Sequence, residues 1–359
     1  MKKTLAIVGA TGVVGRTALK ILEEEKLPID EYIFLASKKS SGQKIKFMEK
    51  EYVIQELNEH SFDKHIDYAI FSAGGDTSKK YSPIAVKHGC IVIDNSNAFR
   101  MDKNVPLVVP EVNPKEIKNN HGIIANPNCS TIQAVVPLKP LDDKYKIKRI
   151  VYSTYQAVSG AGRYGIEDLE NGIKNFIPGD NNIPKSNPYI LKKFPYAIFN
   201  NCLPEIDIFL DNGYSREEMK MVNETRKILK KSNLPITATA VRVPIFNSHC
   251  ESINVEFEND FDLTELINLL KNSKGIVVSD NSNKLNLNDT TNAPDNNFSV
   301  ASSYPISTLV SGHNKVFIGR IRRDFSVKSG INLWVVADNI RKGAAYNAVQ
   351  ILKNMLIDK

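Results

Sequence analysis

Seven residues near the start of the chain, Gly9-Ala10-Thr11-Gly12-Val13-Val14-Gly15, constrain the fold more than any other segment. They follow an apolar, β-rich run over residues 4–9. They open a stretch over 13–26 in which Val13, Val14, Ala18, Leu19 and Leu22 recur at helical spacing. Strand, glycine turn and helix in this order suit a dinucleotide pyrophosphate. The glycines allow a tight turn and a close backbone approach, and the first N–H groups of the helix attract anions. Gly9 and Gly12 of this turn are candidate cofactor contacts.

Short apolar runs continue at Tyr32–Ala36, Tyr68–Ser72 and Cys90–Asp94, the last two separated by a helical pattern near 78–88. Continuous apolar strands alternating with helices predict an α/β, Rossmann-type parallel sheet covered on both faces. From about residue 148 the pattern changes. Residues 150–158 alternate like a half-buried strand, and further strands are expected at 236–243, 252–257, 315–322 and 331–337. Helices are expected near 162–174, 215–230 and 262–271. This second part reads as an α+β catalytic and dimerisation domain with a mixed or antiparallel sheet. The apolar face of residues 340–357 predicts a last helix returning to the first domain. The expected division is therefore 1–128 plus 340–359 and 129–339, as a chain of 359 residues allows. Residues 178–195 and the asparagine-rich 279–297 read as loops.

The initial apolar run is shorter than a signal peptide needs, and no uninterrupted apolar stretch spans a membrane, so a cytoplasmic protein is expected. Its 47 basic and 40 acidic residues are dispersed, without a long single-sign run or an aromatic-rich basic stripe. Neither a nucleic-acid nor a membrane partner is expected from that pattern. Small-molecule substrates are. The cysteines at 90, 129, 202 and 250 fit no zinc spacing, so no metal site is expected and free thiols are.

The second strand ends Leu35-Ala36-Ser37-Lys38-Lys39-Ser40, without the carboxylate that usually grips an NAD ribose. Cations and hydroxyls there suit the 2′-phosphate of NADP; the same residues also make an ordinary solvated turn. Cys129, in Ala125-Asn126-Pro127-Asn128-Cys129-Ser130-Thr131, stands just before an apolar helical stretch. A helix N-terminus favours the thiolate, the nucleophilic form. A buried structural cysteine fits the local pattern equally well.

Taken together, the glycine turn, Asn126–Thr131, Tyr155-Gln156-Ala157-Val158-Ser159-Gly160-Ala161-Gly162, Glu217-Glu218-Met219-Lys220, Arg242–His249 and Val336–Ala345 resemble, in that order, the aspartate-semialdehyde dehydrogenases. The resemblance covers nearly the whole chain. It implies reversible NADPH-dependent reductive dephosphorylation of L-4-aspartyl phosphate to L-aspartate 4-semialdehyde through a cysteine thioester, in lysine, methionine and threonine biosynthesis. By the same resemblance Cys129 is the nucleophile, His249 the acid/base group and Gln156 the residue that orients the acyl group. Arg242 and Glu217 would take the substrate carboxylate and ammonium, and Arg100, Asn128 and Lys220 the phosphate. Thr11, Gly12, Val13 and Val14 match the pyrophosphate turn, and Ser37, Lys39 and Ser40 the 2′-phosphate pocket. Ser72, Ala73, Gly74 and Asn95 line later strand ends, and Ser159, Gly160 and Asn339 match contacts near the nicotinamide. A homodimer or homotetramer through the second domain is implied too. Many relatives carry Arg where this chain has Lys39, which loses the planar fork.

Rival readings are a redox sensor or nucleic-acid-binding protein that keeps the fold, and two other kinds of enzyme. A short-chain oxidoreductase would use Tyr189 and Lys193, which lie between Pro188 and Pro195. An acylglutamyl-phosphate or malonyl-coenzyme A type of reductase would share the cysteine chemistry.

Overall fold

The computed structural model describes residues 2–175, 191–279 and 304–357. Most of the loop expected at 178–195, including Tyr189, and nearly all of 279–297 lie outside the described residues. Two compact units emerge: residues 1–136, 223–232 and 341–359, and residues 137–222 with 233–340.

The first unit contains β1 (Thr4–Val8), α1 (Val13–Glu25), β2 (Glu31–Ala36), β3 (Lys44–Phe47), β4 (Lys50–Val53), β5 (Gln55–Glu56), β6 (Tyr68–Phe71), α2 (Gly75–Lys87), β7 (Ile91–Asp94) and β8 (Ile123–Ala125). It also holds the start of α3 (Cys129–Tyr145). Its six-stranded sheet runs β5-β2-β1-β6-β7-β8, and every pairing is parallel.

Strand alternation explains the burial. Leu5 and Ile7 enter one apolar cluster, while Ala6 and Val8 enter another on the opposite face. Both faces are covered, so these strands read as unbroken apolar runs rather than alternating ones. The C-terminal helix, Tyr346–Ile357, completes the first cluster with Ala348, Val349, Ile351, Leu352, Met355 and Leu356. From β1 the chain goes to β2 on one side and later to β6 on the other. The crevice beyond the carboxyl ends of β1 and β6 is thus the switch point where such sheets bind ligands.

The second unit adds β9 (Ile147–Gln156), α4 (Arg163–Lys174), the start of α5 (Arg216–Leu229), whose later turns from residue 223 belong to the first unit, β10 (Ile236–Arg242), β11 (His249–Phe257), α6 (Leu263–Lys271), β12 (Ile276–Val278), β13 (Val316–Arg323) and β14 (Gly330–Ala337). Its sheet is mixed, in the order β10-β9-β11-β14-β13-β12. The β10–β9 and β12–β13 pairs are parallel and the other three antiparallel.

Among the described residues no helix is long and apolar enough to cross a membrane.

Candidate active site

In the first unit the glycine turn meets the end of β6. A Cβ on Gly9, whose φ is +86°, would lie 2.7 Å from the Ser72 carbonyl oxygen, and one on Gly15 would lie 2.2 Å from the Gly9 carbonyl oxygen. Only glycine allows this turn and this approach of α1 to the strand end. Gly74, also at positive φ, has nothing within 4 Å of a built Cβ, so the backbone before α2 is open. Gly12 caps α1 without a side-chain hydrogen bond. Ser37 precedes a short 3-10 turn, Lys38–Ser40, whose Ser40 Oγ lies 3.5 Å from Thr11 Oγ1. A bare, glycine-lined crevice edged by hydroxyls and lysines fits a phosphorylated dinucleotide.

Cys129 begins α3. Asn128 caps that helix: its Oδ1 accepts from the N–H groups of Ser130 (3.0 Å) and Thr131 (3.3 Å). The Asn128 N–H donates to Glu224 Oε2 at 2.7 Å. The other oxygen of Glu224 accepts from Arg100 Nη1 at 3.1 Å. Arg100 also donates to the carbonyls of Asn126 (2.9 Å) and Asn95 (2.8 Å). Glu224 is 1% exposed. It therefore ties Arg100 and Asn128, both expected at the phosphate, to the helix that Cys129 opens.

Behind this lies a second buried group. Lys342, fully buried, donates to both oxygens of Glu111 at 2.8 Å and to Gln350 at 2.9 Å. Burial would raise the Glu111 carboxyl, but Lys342 outweighs it and holds its pKa below the usual value. Asn347 donates to Asn126 Oδ1 at 2.7 Å, and Asn126 donates to Asn95 Oδ1 at 2.9 Å. A Cβ on Gly343 would fall 2.8 Å from that of Cys129. Glycine there keeps the turn beneath the cysteine close.

Replacing Glu224 by alanine would leave the Arg100 charge and the Asn128 N–H without this acceptor. We expect a loss of about 3–5 kcal/mol in unfolding free energy. Denaturant titration of the variant measures it, and an unaltered midpoint would show that the pair is not structural.

In the second unit, strand register assembles the site. Gln156 and Arg242 end the parallel strands β9 and β10 and are register partners. His249 opens β11, the next strand. All three point to the buried face. At the start of α5, Ser215 and Glu218 form a capping box: Ser215 N–H donates to Glu218 Oε2 (2.6 Å), and Glu218 N–H to Ser215 Oγ (3.3 Å). This fixes the first turn, so Glu217 accepts from Gln156 Nε2 (3.1 Å) and from Lys220 Nζ (3.0 Å). Burial pulls the Lys220 ammonium down, but Glu217 and Asp207 outweigh it and keep its pKa above the ordinary lysine value.

His249 is fully buried, and its Nδ1 accepts from the Ala157 N–H at 3.0 Å. The neutral ring then carries its proton on Nε2. Burial, reinforced by Arg242 and opposed by Glu217, drives its pKa down to about 3. A Cβ on Gly160 would come within 2.9 Å of Arg242 Nη1 and 3.1 Å of His249 Nε2. Glycine at 160 thus lets the imidazole and the guanidinium share one space. Ser248, just before His249, adopts φ +71°. Asn339 supports it, accepting from the Ser248 N–H (2.9 Å) and donating to Ser159 Oγ (3.0 Å).

The remaining cysteines differ from Cys129. Burial pushes the Cys90 and Cys250 thiols up to about 12 and 11, and Cys202 is exposed.

Residues 4–120 match the semialdehyde dehydrogenase NAD-binding domain model, and 138–342 match the semialdehyde dehydrogenase dimerisation domain model. The aspartate-semialdehyde dehydrogenase of Aquifex aeolicus is 51% identical over 97% of this chain and 96% of its own. That of Campylobacter jejuni is 45% identical over 99% and 98%. The chain belongs to the aspartate-semialdehyde dehydrogenase family. Its fold also superposes on the crystal structure of aspartate semialdehyde dehydrogenase II from Vibrio cholerae complexed with ASA, with TM-score 0.89, 42% identity and coverage of 100% of this chain and 99% of that one. Within the family frame, Glu224, Glu111, Lys342, Asn347 and Gln350 were not among the residues expected from sequence. For Glu224, Lys342, Asn347 and Gln350 the only local signal is a charge or amide within a helical turn, and Glu111 lies in a turn without even that.

Proposed function

We propose that this chain catalyses the reversible NADPH-dependent conversion of L-4-aspartyl phosphate to L-aspartate 4-semialdehyde and phosphate, with Cys129 as nucleophile. The observation that most supports this reading is the strand register gathering Gln156, Arg242 and His249 at one end of a sheet. The relative solved with ASA adds to it.

The Cys129 sulfur attacks the acyl carbon. A C–S bond forms, the bond to the phosphate oxygen breaks, and a thioester remains. Arg100, Lys220 and the Asn128 amide N–H groups neutralise the departing phosphate. Bound NADPH supplies the hydride that reduces the thioester. His249, neutral with its proton on Nε2, donates a hydrogen bond to the acyl oxygen as negative charge grows there. When the resulting thiohemiacetal collapses, the C–S electron pair returns to sulfur and the aldehyde leaves. Gln156, held between Thr154 Oγ1 (3.1 Å) and Glu217, orients the acyl group. Arg242 takes the α-carboxylate as a bidentate fork, and Glu217 faces the α-ammonium.

The cofactor residues follow the glycine crevice. Gly9, Thr11, Gly12, Val13 and Val14 hold the pyrophosphate, and Ser37, Lys39 and Ser40 hold the 2′-phosphate. Ser72, Ala73, Gly74 and Asn95 line the strand ends, and Ser159, Gly160 and Asn339 approach the nicotinamide. The reading includes a cytoplasmic homodimer or homotetramer formed through the second unit, acting on small molecules alone.

Incubating the protein with aspartate semialdehyde, NADP and phosphate should produce NADPH only when phosphate is present. Equal rates without phosphate, or faster turnover of a competing aldehyde, would overturn the assignment.

A further inference from the structure

We propose that Arg16 is a specificity-determining residue for the 2′-phosphate of NADP, supplying the planar fork that Lys39 lacks. The inference rests on the NADP reading above and deepens it. Arg16 lies in the first turn of α1, directly after Gly15. Its Nε donates to the Thr11 carbonyl at 3.1 Å, and Thr11 Oγ1 lies 3.5 Å from Ser40 Oγ. One residue, Thr11, therefore touches both the guanidinium and the hydroxyl expected to meet the 2′-phosphate.

Arg16 is exposed, yet its Nε bond goes to a backbone carbonyl, not to a carboxylate. With Nε held, the two terminal nitrogens of the planar guanidinium are the donors that two oxygens of a phosphate can engage as a pair. A tethered guanidinium also loses less conformational entropy on binding than a free one.

The surroundings favour an anion. Thr11 and Arg16 line a cavity of about 370 Å³ together with Lys20, Lys44, Lys46 and Glu23, among others. Lys44 and Lys46 are paired with Glu51 and Glu49. Glu23 accepts from the Met48 N–H at 2.7 Å. Among the described residues Arg16 and Lys20 make no ion pair, so the cavity is cationic next to the turn Lys38–Ser40. Two lysines and one hydroxyl on that turn, with Ser37 just before it, give point charges and single donors without a fork. Arg16 supplies the missing geometry from the facing helix.

The test compares binding of adenosine 2′,5′-bisphosphate and adenosine 5′-monophosphate by calorimetry, in wild type, Arg16→Gln and Arg16→Lys. Wild type should prefer the bisphosphate. Arg16→Gln should cut that preference about tenfold, the size of one charge-assisted hydrogen bond, with monophosphate affinity unchanged. Arg16→Lys keeps charge and loses the fork, so it should fall between the two; should Arg16→Gln fail to fold, this variant decides. A preference unchanged in the variants would overturn the role of Arg16 while leaving the NADP reading intact. A wild type with no preference would instead remove the NADP reading, and this inference with it.

Discussion

Cys129→Ser removes turnover by about four orders of magnitude or more, because the acyl group then has no competent sulfur on which to rest. The structure makes this a clean experiment. Asn128 Oδ1 caps α3 through the N–H groups of Ser130 and Thr131, so the helix start does not depend on the thiol. Oxygen for sulfur is also a small change in volume beside Gly343. The variant should melt like wild type and bind cofactor normally. Mass spectrometry after mixing with aspartyl phosphate should find an acyl adduct on the wild type and none on the variant. Activity within tenfold of wild type would mean that the reaction does not pass through residue 129.

His249→Asn is the second large effect, a fall of about 10²–10⁴ in turnover. The asparagine amide oxygen can accept from the Ala157 N–H as Nδ1 does, so the β11 start stays in place. What disappears is the donor at Nε2. A second readout separates this role from simple packing. The folded pKa of His249, about 3, lies below the ordinary histidine value of 6.5. As pH falls between these values, the unfolded chain takes up a proton that the folded chain refuses. Stability from this group is therefore complete above about pH 6.5 and drains away toward pH 3. Between pH 7 and 5 wild type should lose about 2 kcal/mol more than the variant. Urea titrations at both pH values measure the difference. Parallel slopes would mean that the imidazole is not held neutral.

Much of this protein was legible in its sequence, for definite reasons. Strands buried on both faces announce themselves as apolar runs, as Leu5-Ala6-Ile7-Val8 and Tyr68-Ala69-Ile70-Phe71 do. The glycine turn is legible because close backbone approach tolerates no side chain at Gly9 or Gly15. The β3–β4 hairpin was not legible. Its strands alternate with lysines and glutamates, and its turn, Met48-Glu49, takes positive φ at both positions without the usual Asn or Gly. Phe47 and Tyr52 bind it to the core through edge contacts with Phe34, which no local pattern reveals.

For the candidate site, individual residues came from the family resemblance, whereas their supports came only from coordinates. Glu224 meets Arg100 across 124 positions, and Lys342 meets Glu111 across 231. Neither partner can be inferred from the other by spacing. The capping box of Ser215 and Glu218 is different. It can be read locally, and it sets where α5 starts, after which the i,i+3 spacing of Glu217 and Lys220 puts them on one helix face.

The last helix of the chain carries a consequence for synthesis. Ala348, Val349, Ile351, Leu352, Met355 and Leu356 fill the same apolar cluster as Leu5 and Ile7. A nascent polypeptide emerging from the ribosome must therefore carry the greasy side of its earliest sheet uncovered until residues 346–357 have followed it out. That interval, rather than any weakness of the finished molecule, is when chaperones would have most to protect.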